Sequence, residues 1–186
     1  MTAVDHETGN DPAGISIRQL HPHFAAEVVG LSIANGLTKE QSDLVKDAID
    51  RYAVIVFRDQ EALDDAGQIA FSAAFGKVQH SITNDRGDLS RRLGRPELSD
   101  ISNVDAKGDA LPEDDLSRRL QRPARLWHTD SSFRDPPGRY TFLAARTLPP
   151  SGGNTEFADM RAAYDALDAD HKDSIASIHV RHDLAR

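Results

Sequence analysis

Cysteine is absent from all 186 residues. That excludes disulfides, thiolate zinc centres and thiol nucleophiles, and leaves histidine and carboxylate as the only strong metal ligands in the chain. Ligands of that kind suit Fe(II), Mn(II) or Zn(II) better than Cu(I). Long apolar runs are missing too. The longest strongly apolar stretch, Tyr52 to Phe57, falls far short of the roughly 20 residues that a bilayer-spanning helix needs. The opening MTAVDHETGNDPAG is polar and acidic with no apolar h-region, so the chain is expected to be cytoplasmic and free of membrane contact. Positive charge is in short supply: 22 Lys and Arg stand against 30 Asp and Glu, for a formal charge of -8. Nucleic acid is a poor partner for such a surface, because phosphate contacts need a basic face.

What remains is an ordinary globular composition, 39% hydrophobic and 28% charged, in a length that suits one domain. Residues 1–14 are expected to be a disordered lead-in. GISIRQL and AEVVGL predict short strands around a loop at His21-Pro22-His23. Thr38 opens a helix with Gln41 three positions on as a capping box, and Leu44, Val45, Ala48, Ile49 and Tyr52 supply its apolar stripe. AVIVF (53–57) predicts a buried strand. A second helix is expected from about Asp64 to Phe75, stopped at Gly76. Residues 99–104 predict a strand between two charged loops, followed by strands over RYTFLAART, NTEF and SIHVRH. Helices are expected at 161–167 and 170–177. Helices mostly early and strands mostly later predict an α+β fold. DLSRRLGRP (88–96) recurs as DLSRRLQRP (115–123) with one mismatch. Two copies fall short of a solenoid. The repeat reads either as a small duplication in charged loops or as two sets of arginines brought to one rim.

The chemistry centres on RLWHTDSSF, where the chain's single tryptophan precedes His128-Thr129-Asp130. In extended backbone, residues i and i+2 point to the same side, so His128 and Asp130 can aim at one ion. That is two thirds of the two-histidine, one-carboxylate arrangement that leaves iron positions open for oxygen chemistry. Alone the motif is weak. Eight histidines and 30 acidic residues in 186 predict ~1.3 chance matches to His-x-acid. A second match, His171-Lys172-Asp173, sits at a helix start, where i and i+2 diverge by about 200°; it is a decoy.

Taken together, LWHTDSSF, PPGRYTFLAA and LPPSGGNTEFADMRAAYDAL, with YAVIVFRDQ, IAFSAAFG and ELSDISNV upstream, resemble the Fe(II)- and 2-oxoglutarate-dependent dioxygenases of the taurine dioxygenase family, most of all its 2,4-dichlorophenoxyacetate dioxygenase branch. The resemblance implies a double-stranded β-helix (jelly roll) with flanking helices, and a reaction that consumes O2 and 2-oxoglutarate to give succinate and CO2. Hydroxylation beside the ether oxygen of an aryloxyalkanoate would make a hemiacetal that collapses to a phenol and an oxo acid. It also implies that His128 and Asp130 are iron ligands, and that the Thr155 hydroxyl bonds a carboxylate of 2-oxoglutarate. The backbone N–H of Ser131 and the side chain of His80 would meet the small organic acid substrate. No catalytic residue beyond the metal ligands is implied, and the complete enzyme is expected to be a homo-oligomer. Ala124 departs from the taurine enzyme's asparagine, which puts an aryloxyalkanoate ahead of taurine or another alkylsulfonate.

The family's second ligand histidine and its cosubstrate-binding arginine have no counterpart here. His171 is the helical decoy, and His179 and His182 are expected on opposite sides of a final strand, with His182 matching a pocket-wall position. Residues 15–186 are therefore expected to be the N-terminal part of one dioxygenase domain, incomplete at the C-terminus and inactive alone. Two readings from other classes stay open: a non-catalytic metal-binding jelly-roll fragment, and a hydrolytic zinc enzyme that works without oxygen.

Overall fold

In a computed structural model, residues 14–80, 93–105, 107–115, 118–119 and 126–182 are described. The chain divides into two compact units, Met1–Gly67 with Leu143–Arg181 and Gln68–Phe142 with His182–Arg186. The described elements mix helix and strand, as the α+β expectation requires.

The first unit is built on strands β1 (Ser16–Gln19), β2 (Ala26–Val29) and β3 (Ile55–Val56), in the order β1-β2-β3. β1 and β2 form an antiparallel pair in the register Ser16 to Val29, and β3 joins β2 in parallel. The connection between β2 and β3 is helix α1 (Lys39–Tyr52). Thr38 caps it as its spacing predicts: Gln41 N–H donates to Thr38 Oγ1 at 3.2 Å and Thr38 N–H to Gln41 Oε1 at 2.9 Å. Val45, Ala48 and Tyr52 of α1 are buried, and Ala26, Ala48 and Tyr52 with Ile17 and Ile55 form the core under the sheet. Gly30 (φ 84) cannot be replaced: a Cβ there would stand 2.6 Å from the Gly14 carbonyl oxygen. Gln60 ties the chain after β3 back to that core, accepting from Ile33 N–H and donating to the Leu31 carbonyl.

Glu27, in β2, is a buried charge, and Arg18 and Arg58 pair with it. The Arg18 hydrogen bond is the largest influence on its carboxyl and holds it below the ordinary glutamate range, against the opposing effect of burial.

Helix α2 (Asp65–Ala73) is shorter than the expected 64–75; Asp64 Oδ1 accepts from Gly67 N–H at 2.7 Å at its start. Helices α3 (Met160–Asp165) and α4 (Ala169–Ile175) fall close to the expected pair. α3 is docked by Arg161, whose guanidinium donates to the Asp50 and Arg51 carbonyls at the C-terminal end of α1, where a cation is favoured.

The expected strands over 99–104, 139–147, 154–157 and 177–182 do not form ladders among the described residues; Val104 makes a single bridge to Ala110. The side chains keep a strand's rhythm nonetheless: Tyr140, Phe142 and Ala144 are half-buried while 141, 143 and 145 are exposed. Periodicity reports which face of a segment is apolar, whereas a strand also needs a neighbour to take its backbone hydrogen bonds. Leu143, Phe157, Ile178 and Val180 stand exposed along these segments. No helix among the described residues is long and apolar enough to cross a membrane.

The second unit is organised by an aromatic cluster. Phe71 and Phe75 lie 5.0 Å apart, and Phe142 packs on both at 5.3 Å, edge-on to Phe71. Tyr140 meets Phe75 at 6.0 Å. These contacts hold the chain that leaves the 126–138 loop against α2.

Candidate metal centre

The 126–138 loop brings His128 and Asp130 together as the i, i+2 spacing predicts. His128 Nε2 and Asp130 Oδ1 are 3.1 Å apart, and both side chains are about half exposed. The separation is that of an ordinary N–H···O contact and is also compatible with two donors to one cation. His128 Nδ1 is 2.7 Å from the Leu126 carbonyl oxygen, which only accepts, so Nδ1 donates there and Nε2 is the ring nitrogen that faces the Asp130 carboxylate. A backbone acceptor behind a histidine is also the usual way that a metal-binding imidazole is oriented.

After Asp130 the chain turns sharply. Ser131 has φ 55, a left-handed conformation that costs a residue with a Cβ about 1–2 kcal/mol. Arg134 N–H donates to the Ser131 carbonyl at 3.1 Å within this turn. Gly138 passes close above it: a Cβ on Gly138 would lie 3.1 Å from Ser131 Cβ. The backbone at 79–80 is pinned to the same loop. Arg134 Nη2 donates to the His80 carbonyl at 2.7 Å, and Gln79 Nε2 to the Pro136 carbonyl at 3.1 Å. His80, by its backbone carbonyl, and Ser131 are thus both bonded to Arg134.

Thr155 belongs to the other unit, where it follows the turn at Gly152 and Gly153 (φ 71 and 68) and is exposed. His171 is engaged inside α4: its Nδ1 and backbone N–H both reach Asp168, the helix N-cap. The backbone and side chain of His171 hold the Asp168 carboxyl below its ordinary range. The second His-x-acid is therefore part of a helix terminus. His179 and His182 do not lie on a strand among the described residues. No group of three metal-binding side chains forms among the described residues.

The repeated arginine loops fall partly outside the described residues, including Arg91, Arg92 and Arg122; Arg118 donates to the Leu111 carbonyl at 2.8 Å. Sequence reasoning missed the supports of the loop at the Leu126 carbonyl, Arg134 and Gln79, and gave His182 a pocket-wall position without its bond to Ser132. A local motif carries no mark of them, since three of these contacts join positions 50 or more apart.

The model of the family "Taurine catabolism dioxygenase TauD, TfdA" matches residues 16–186. Over 168 residues the chain is 40% identical to the alpha-ketoglutarate-dependent 2,4-dichlorophenoxyacetate dioxygenase of Burkholderia sp. (strain RASC), covering 90% of this chain and 56% of that one. It is 34% identical over 170 residues to the (S)-phenoxypropionate/alpha-ketoglutarate-dioxygenase of Sphingobium herbicidovorans, covering 90% and 53%. Among solved structures, AAD-2 in complex with Mn(II) and N-oxalylglycine superposes with a TM-score of 0.79 at 43% identity, over 87% of this chain and 55% of that one. A taurine dioxygenase from Burkholderia xenovorans gives 0.61 at 26% identity, over 89% and 52%. The chain spans about half the length of the curated relatives it matches.

Proposed function

Because the chain belongs to the TauD, TfdA dioxygenase family, we propose that the protein is an Fe(II)- and 2-oxoglutarate-dependent dioxygenase with a jelly-roll fold that acts on an aryloxyalkanoate such as 2,4-dichlorophenoxyacetate. The observation that carries this reading is the His128 Nε2 to Asp130 Oδ1 separation of 3.1 Å with Nδ1 committed to the Leu126 carbonyl. The pair supplies one imidazole nitrogen and one carboxylate oxygen, two of the three donors of the two-histidine, one-carboxylate arrangement that suits a ferrous ion. When bound, that ion supplies the oxygen activation that couples 2-oxoglutarate decarboxylation to hydroxylation beside the substrate's ether oxygen, from which a phenol and an oxo acid follow.

The chain's own residues bind and orient. His128 and Asp130 hold the ion, with the His128 ring oriented by the Leu126 carbonyl behind Nδ1. Thr155, in the family-like GGNTEF stretch, donates its hydroxyl to a carboxylate of 2-oxoglutarate in this reading. Ser131, by its left-handed turn, offers its backbone N–H to the substrate carboxylate, and His80 lines the same side. Orientation of the acid so that one C–H bond faces the metal's open side is the larger part of what such a site contributes. The reading takes the protein as cytoplasmic, with O2 and a small organic acid as partners and no nucleic acid.

The aryloxyalkanoate is favoured over taurine because the similarity to the phenoxyacetate and phenoxypropionate enzymes, 40% and 34%, exceeds that to the taurine dioxygenase, 26%. The test supplies the gene product with Fe(II), 2-oxoglutarate and air, and measures succinate with either 2,4-dichlorophenoxyacetate or taurine. Succinate and a phenol in equal amounts, with the first acid alone, are expected. Succinate with taurine alone selects the alkylsulfonate reading. Product formed equally well without oxygen rejects a dioxygenase in favour of a hydrolase.

A further inference from the structure

His182 lies fifty positions beyond Ser132, yet its Nδ1 is 2.6 Å from Ser132 Oγ. That is a full hydrogen bond by distance. Ser132 is the second residue after Asp130, in the turn that the left-handed Ser131 makes possible. A turn held in a disfavoured backbone region persists only when contacts around it fix it. The direction of the Asp130 carboxylate depends on that turn, because Asp130 is its first residue. Arg134 fixes the far side of the turn through the His80 carbonyl, and His182 fixes the near side.

We propose that His182 is a positioning residue for the metal centre: through Ser132 it holds the turn that aims Asp130 Oδ1 at the point facing His128 Nε2. The inference rests on the reading of His128 and Asp130 as metal ligands. It gives His182 a supporting role in place of a ligand's, in keeping with the lack of any three-ligand group among the described residues.

The test is Mn(II) binding to the full gene product, read from the free-ion electron paramagnetic resonance signal, with melting temperature measured beside it. His182→Phe and Ser132→Ala each remove the same bond, and each is expected to weaken Mn(II) binding about fivefold, the effect of one net hydrogen bond. The double variant should be no weaker than either single one, since both act through one contact. His182→Asn, whose amide nitrogen stands where Nδ1 does, should restore binding to within about twofold of the unaltered protein by the same bond. A merely structural role would instead lower the melting temperature and leave Mn(II) affinity in place. Unchanged affinity in His182→Phe and Ser132→Ala overturns the proposal, and so does an additive double variant. If His182→Phe does not fold, Ser132→Ala and His182→Asn decide the matter by the same criteria. Failure of the unaltered protein to bind Mn(II) overturns the metal-site reading and this inference with it, whereas normal binding that the variants leave unmoved overturns this inference alone.

Discussion

Asp130→Asn leaves the shape of the side chain almost unchanged and removes its charge, so it isolates what the carboxylate contributes to the proposed centre. For a divalent ion about 2.1 Å from a carboxylate oxygen, the Coulomb term is about 4 kcal/mol even with the dielectric constant of bulk water. The side chain is 49% exposed, which keeps the effective dielectric near that weak limit. A loss of about 4 kcal/mol is roughly a thousandfold in affinity. The amide oxygen retains a partial charge, so roughly a hundred- to a thousandfold weaker Mn(II) binding is expected from the same term. The assay is titration with Mn(II) followed by the free-ion resonance, on the unaltered protein, on Asp130→Asn and on Asp173→Asn as the matched control from the second His-x-acid. Asp173 is exposed on α4, and its neighbour His171 is committed to Asp168, so that control should bind Mn(II) as the unaltered protein does. A loss below tenfold in Asp130→Asn, or an equal loss in both variants, would refute the assignment of Asp130 as a ligand.

Thr155→Ala should raise the KM for 2-oxoglutarate about fivefold by removing one net hydrogen bond, with Mn(II) affinity unchanged; a KM that does not move takes Thr155 out of the site. Thr38→Ala deletes the capping box of α1 and should cost about 1 kcal/mol in urea denaturation, and stability equal to the unaltered protein would contradict the capping geometry. Glu27→Gln carries a pH signature. Arg18 holds the Glu27 carboxyl below its ordinary value of 4.5, so the stabilisation is fully present above that value and is lost as pH falls through the lowered one. The variant should therefore melt below the unaltered protein at neutral pH, and the gap should close in acid; a gap that ignores pH would mean that packing, not charge, is what Glu27 contributes.

Much of this protein was legible from local sequence. The α1 cap follows from Thr38 and Gln41, because a capping box is made within one turn of helix and needs no partner from elsewhere. His128 and Asp130 meet in a loop, two positions apart as their spacing allows, whereas the second His-x-acid lies in a helix that Asp168 caps. The family resemblance rests on the same local motifs. Tertiary structure alone decided the rest. The expected strands after residue 98 form no ladder among the described residues, since an apolar alternation cannot say which neighbour takes the backbone hydrogen bonds. The supports of the 126–138 loop, His182 on Ser132, Arg134 on the His80 carbonyl and Gln79 on the Pro136 carbonyl, join residues 50, 54 and 57 positions apart. A hydrogen bond over such a separation is set by where folding brings the two segments, and an isolated histidine, arginine or glutamine looks the same in sequence whether it braces a site or faces water.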